Sequence, residues 1–118
     1  MAGERILVID DEEIICTLLK DTLTDAGYQV ETVTNGIEGL EKLLKGEPFD
    51  ILLIDIRMPK KDGIQVLKEA KSRVPDILTI IMTGYPSIET IREASEYNAF
   101  DYITKPLESL KSHPAYLL

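Results

Sequence analysis

Apolar positions along this chain follow two rhythms in turn. Mostly apolar runs of strand length occur at Arg5-Ile6-Leu7-Val8-Ile9, Ile51-Leu52-Leu53-Ile54 and Ile77 to Met82. Such runs read as strands buried on both faces, the habit of parallel sheets. Tyr28 to Val33 alternates as a further strand, and Phe100 to Ile103 makes a fifth. The stretches between them carry helical spacing. Ile15, Leu18, Leu19, Leu23 and Ala26 share one face of a first helix, which Gly27 ends. Asn35 is placed to cap a second helix, with Glu38 three residues on and Ile37, Leu40 and Leu44 as its apolar stripe. Gly46 and Pro48 close that helix.

A turn over Pro59-Lys60-Lys61-Asp62-Gly63 leads to a third helix with Ile64, Leu67 and Ala70 inward, stopped before Pro75. Pro86 and Ser87 open a fourth, with Ile88, Ile91 and Ala94 inward and Asn98 as the left-handed residue after it. Lys105-Pro106 leads to a short last helix over about 107 to 112, limited by Pro114. Five strands alternating with helices predict an α/β domain, a doubly wound parallel sheet with helices on both faces. The whole chain, 1–118, reads as one domain, with its core over about 5–112 and 113–118 as a tail or a truncated last helix.

Composition narrows the function classes. The net charge of -8 weighs against direct nucleic-acid or anionic-membrane binding and suits a domain that holds a cation or meets basic partners. One cysteine, Cys16, excludes an internal disulfide, and one histidine, His113, leaves no histidine-based metal cluster. No apolar run is long enough to span a membrane, and the first residues lack the pattern of a signal peptide, so a cytoplasmic setting is expected.

The chemistry gathers at strand ends. In a parallel sheet every strand's C-terminal end lies on one edge, where open α/β sheets bind their ligands. Asp10 and Asp11, Asp55, Thr83 and Lys105 each follow a different strand. Three carboxylates brought together repel one another unless a cation sits among them. Hard oxygen donors call for Mg2+, with Mn2+ an acceptable substitute. An aspartate beside such a metal can attack phosphorus, and a lysine and a hydroxyl can meet the charge that develops on the phosphoryl oxygens. Taken singly, each residue has a plainer reading. Asp10-Asp11 could cap the first helix, Asp55 and Thr83 could be ordinary strand-end residues, Lys105 a solvated one and Tyr102 a fixed aromatic.

Together these features resemble the response-regulator receiver domain of two-component signalling, with the CheY-like, flavodoxin-like fold. The likeness runs from about Arg5 to Leu110. It rests on Asp10-Asp11, Asp55, Met58-Pro59 with Asp62-Gly63, Thr83-Gly84 and Lys105-Pro106, in that order. The wording Arg57-Met58-Pro59 and Thr83-Gly84-Tyr85 is similar to receivers of nitrogen-regulator-type transcription activators. The resemblance implies strand order 2-1-3-4-5. It makes Asp55 the phosphoacceptor for a sensor histidine kinase, and Asp10, Asp11, Asp55 and the backbone carbonyl of Arg57 the Mg2+ ligands. It makes Thr83 and Tyr102 the switch residues and Lys105 the phosphoryl partner, with a cis bond at Lys105-Pro106. It also implies self-phosphorylation from small donors, self-dephosphorylation, and a fourth-helix/fifth-strand surface that acts on an output domain or downstream protein, or forms a homodimer on phosphorylation. The short last helix departs from the longer one usual in receivers.

Three rivals are weaker. A haloacid-dehalogenase-like phosphotransferase expects a second aspartate where Arg57 stands, and a flavodoxin expects a hydroxyl- and glycine-rich loop where Asp10-Asp11-Glu12-Glu13 stands. A receiver-like interaction module that is never phosphorylated would have no use for the acidic, threonine and lysine set.

Overall fold

The computed structural model describes residues 3–56, 63–84, 87–96 and 99–104. Nine elements alternate: β1 (Arg5–Ile9), α1 (Glu13–Asp25), β2 (Gln29–Val33), α2 (Gly36–Leu44), β3 (Ile51–Asp55), α3 (Gly63–Arg73), β4 (Leu78–Thr83), α4 (Ile88–Glu96) and β5 (Asp101–Thr104). The five strands form one parallel sheet in the order β2-β1-β3-β4-β5, as expected. β2, β4 and β5 each begin one residue later than their apolar patterns suggest.

The period of two divides the central strands between the two faces. Leu7, Ile9, Leu52, Ile54 and Ile81 pack with Leu40 and Leu43 of α2 and Val66, Leu67 and Ala70 of α3. Ile6, Val8, Leu53, Ile80, Met82 and Ile103 pack with Cys16, Leu19 and Leu23 of α1 and with Tyr28. β3 is buried along its whole length, which is why its sequence is apolar without alternation.

Helix ends follow local chemistry. Asn35 caps α2: its Oδ1 accepts the Glu38 N–H at 2.9 Å, and its Nδ2 donates to Glu38 Oε1 at 3.1 Å. Gly27 takes φ 101° just past α1, a value that suits glycine. α4 opens with the Ser87 carbonyl accepting from the Ile91 N–H at 3.0 Å. On the β2 edge, Glu31 pairs with Arg5 at 2.7 Å and Lys42 at 3.1 Å. Burial opposes the Glu31 charge, but Lys42 and then Arg5 outweigh it and hold the carboxyl below its ordinary range.

Three expected helix faces are corrected. In α2, Ile37 and Leu44 are 48% and 53% exposed, and the inner face is Gly36, Gly39, Leu40 and Leu43. A Cβ on Gly39 would run into the Ile9 side chain, so α2 lies against the sheet on glycines, which an apolar pattern does not register. In α4, Ile88 and Ile91 are 76% and 49% exposed rather than inward. Helical spacing tells which residues share a face, not which way the face turns. At α1, Leu18 and the C-cap residue Ala26 also face solvent, and Cys16 joins Leu19 and Leu23 inside. The expected roles of Pro86, Asn98 and the Ala94 side chain, the last helix over 107–112 and the tail 113–118 lie outside the described residues.

Candidate functional site

Three strand ends meet at one edge of the sheet. β1 stops at Ile9 and is followed by Asp10, β3 ends on Asp55, and β4 ends on Thr83. The pairing register joins these ends: Ile9 lies opposite Ile54, and Asp55 opposite Met82. Thr83 in turn faces Thr104, the residue before Lys105. Asp10 and Thr83 are fully buried and Asp55 is 4% exposed, whereas Asp11 is exposed. Buried carboxylates need strong partners or a cation.

Backbone contacts fix this edge. The Asp10 N–H donates to the Val33 carbonyl at 3.2 Å, and the Cys16 thiol donates to the Asp10 carbonyl at 3.3 Å. Asp10 Oδ1 accepts the Glu12 N–H at 2.9 Å. Glu12 is the N-cap of α1, without a side-chain capping bond, so Asp10 orders the turn ahead of the helix instead of capping it. Beyond β3, the Ile56 N–H donates to Met82 at 3.3 Å and the Ile56 carbonyl accepts from Gly63 at 3.1 Å. A Cβ on Gly63 would collide with the Asp55 carbonyl oxygen and Ile56 Cα. Glycine at 63 therefore lets α3 start against the strand end that carries Asp55.

One carboxylate oxygen from each of Asp10, Asp11, Glu12 and Asp55 lies within 4.8 Å of the others. Asp10, Asp11 and Asp55 were expected from the sequence. Glu12 was not, although its place directly after the acidic pair was the available signal. The donor set consists of hard oxygens with no soft ligand, which suits Mg2+ or a close relative. The expected Arg57 carbonyl, Lys105 and the Lys105-Pro106 bond lie outside the described residues. So does the side chain of Tyr102, whose backbone runs in β5 opposite Ile81.

A buried aspartate at a parallel strand end, two acids just after the neighbouring strand and a buried threonine at the end of the next give this α/β domain an edge suited to a hard cation and a phosphoryl group. The family of response regulator receiver domains matches residues 6–114, and the chain belongs to that family. The transcriptional regulatory protein ZraR of Klebsiella oxytoca is 46% identical over 110 residues, which cover 92% of this chain and 25% of ZraR. The chain thus spans about a quarter of that relative's length. The sporulation initiation phosphotransferase F of Bacillus subtilis (strain 168) is 36% identical over 108 residues, 92% of this chain and 86% of that protein. Among solved structures, the response regulator TrrA of Thermotoga maritima in complex with Mg(2+)-BeF superposes with a TM-score of 0.83. It is 33% identical, with 98% of this chain and 99% of that one covered. The protein is a signalling receiver with the flavodoxin-like α/β fold, and its role in two-component signalling is to accept a phosphoryl group. Among the described residues, no helix is long and apolar enough to cross a membrane.

Proposed function

We propose that Asp55 is the phosphoacceptor, loaded from the phosphohistidine of a sensor kinase. The observation that carries this reading is the gathering of the Asp10, Asp11 and Asp55 carboxylates at the sheet edge. In the transfer an Asp55 oxygen attacks phosphorus while the phosphorus–nitrogen bond breaks. The imidazole nitrogen leaves with the electron pair and takes up a proton from solvent. Asp10, Asp11, Asp55 and the Arg57 carbonyl would hold Mg2+, which when bound neutralises charge on the phosphoryl oxygens. Asp10 is anchored from both sides by its N–H and carbonyl, so its carboxylate is placed before any ligand arrives.

Thr83 and Lys105 then meet the phosphoryl oxygens, the first with a hydroxyl and the second with a point charge. Thr83 and Tyr102 serve as the switch, because Thr83 ends β4 and pairs across to β5, the strand of Tyr102. Phosphorylation shifts the population of the α4/β5 surface between two states. The exposed Ile88 and Ile91 suit that surface for contact with an output domain, a downstream protein or a second copy. The name of the ZraR relative supports transcription regulation as the output. Residues 1–118 act as one receiver unit in the cytoplasm, able to phosphorylate itself from small donors and to dephosphorylate itself.

The test is amide NMR with Mg2+ and beryllofluoride, on the wild type and on Lys105→Ala. The wild type should shift at Asp55, Thr83 and along α4 and β5. The variant should form the adduct while α4 and β5 stay in place. Shifts confined to the acidic edge in the wild type, or a normal α4/β5 response in the variant, would contradict the relay.

A further inference from the structure

The acidic edge holds one carboxylate more than the expected ligand set. Glu12 brings an oxygen within 4.8 Å of those of Asp10, Asp11 and Asp55. Helix capping does not account for that placement. Glu12 stands at the N-cap of α1 with extended backbone, φ -94° and ψ 110°, and its side chain makes no capping bond. Glu13, in the first turn, already supplies the negative charge that a helix N-terminus favours. The Glu12 backbone, meanwhile, is tied to the site itself, since its N–H donates to Asp10 Oδ1. Asp10 and Asp55 are buried, whereas Glu12 is exposed. Its longer side chain therefore approaches the cluster from the solvent side.

Mg2+ is usually held by one or two carboxylates, with waters and substrate phosphate completing its shell. Before a phosphoryl group arrives, its place in that shell belongs to water or to another oxygen donor. We infer that Glu12 sets the affinity of the unphosphorylated centre for divalent cations, by adding a fourth carboxylate from the solvent side. The inference rests on the metal reading of the site given above. Its physical basis is Coulombic. At the dielectric of water and with physiological salt screening, a unit charge about 5 Å from a divalent ion changes affinity by roughly three- to tenfold. The same charge works against an anionic phosphoryl group entering the edge. Glu12 is thus matched to the resting, cation-loaded state and not to the phosphorylated one.

The experiment measures Mg2+ binding by calorimetry and Mn2+ binding by electron paramagnetic resonance, on protein that carries no phosphoryl group. Wild type, Glu12→Gln and Glu13→Gln are compared. The two variants remove the same charge from adjacent residues at the start of α1, and only Glu12 belongs to the cluster. Glu12→Gln should raise the dissociation constant about three- to tenfold, and Glu13→Gln less than twofold. At saturating Mg2+ the Glu12→Gln protein should still form the beryllofluoride adduct, at least as tightly as wild type. Equal weakening by both variants would reduce Glu12 to a distant surface charge and overturn the inference. Unchanged or tighter cation binding by Glu12→Gln would overturn it too, as would loss of the adduct at saturating Mg2+. If the wild type binds neither cation, the metal reading of the whole site falls, an outcome distinct from failure of Glu12 alone.

Discussion

Thr79 is fully buried in β4, and among the described residues its hydroxyl has no hydrogen-bond partner. Its backbone is well used, since the carbonyl accepts from the Phe100 N–H at 2.6 Å ahead of β5. An unsatisfied buried hydroxyl costs about 1–3 kcal/mol, whereas a methyl in its place recovers apolar burial. Thr79→Val should therefore stabilise the fold by about 1 kcal/mol, seen as a higher urea midpoint at unchanged m-value. A lower midpoint would mean that the hydroxyl has a role in holding β4 and β5 together. At this scale the sequence was informative where chemistry is local. Asn35 and Glu38 announced a cap, and Gly27 a left-handed stop. For Glu12 it offered only a place beside Asp10-Asp11, because its meaning depends on Asp55, 43 residues further on, coming to lie beside it.

Among the elements, the strands were the more legible. β1, β3 and β4 are buried on both faces, so their apolar runs state their type without help from tertiary context. The helices gave their existence but not always their inner face. α2 turns Gly36 and Gly39 to the sheet, and α4 turns Ile88 and Ile91 outward. The glycines also separate two kinds of close approach. At Gly63 an added Cβ would meet backbone, at the Asp55 carbonyl and Ile56 Cα, whereas at Gly39 it would meet the outer atoms of the Ile9 side chain. Alanine gains about 1 kcal/mol over glycine in helix propensity. Overpacking against a well-packed core costs about 1–3 kcal/mol and is least relieved where backbone must move. Gly63→Ala should thus destabilise by about 1–3 kcal/mol, and by more than Gly39→Ala. Chemical denaturation of the two variants checks this, and a neutral or stabilising Gly63→Ala would show that α3 can lift from β3 at little cost.

Over the whole molecule, the parallel sheet makes the site. Residues 10, 55 and 83 are far apart in the chain, and the order β2-β1-β3-β4-β5 sets β1, β3 and β4 side by side, so that their ends bring two carboxylates and a hydroxyl to one edge. That convergence could be read from the sequence once the strands were recognised, because all C-terminal ends of a parallel sheet share an edge. The depth of burial of Asp10 and Thr83 and the nearness of Glu12 could not, because they depend on how closely helices and loops settle around that edge. On the function proposed above, this edge makes Asp55 a nucleophile toward phosphorus. Intact-mass spectrometry after incubation with acetyl phosphate and Mg2+ tests it most directly, with wild type and Asp55→Asn side by side. The wild type should gain the mass of one phosphoryl group, and Asp55→Asn should gain none. An equal gain in Asp55→Asn, or none in the wild type, would contradict the account.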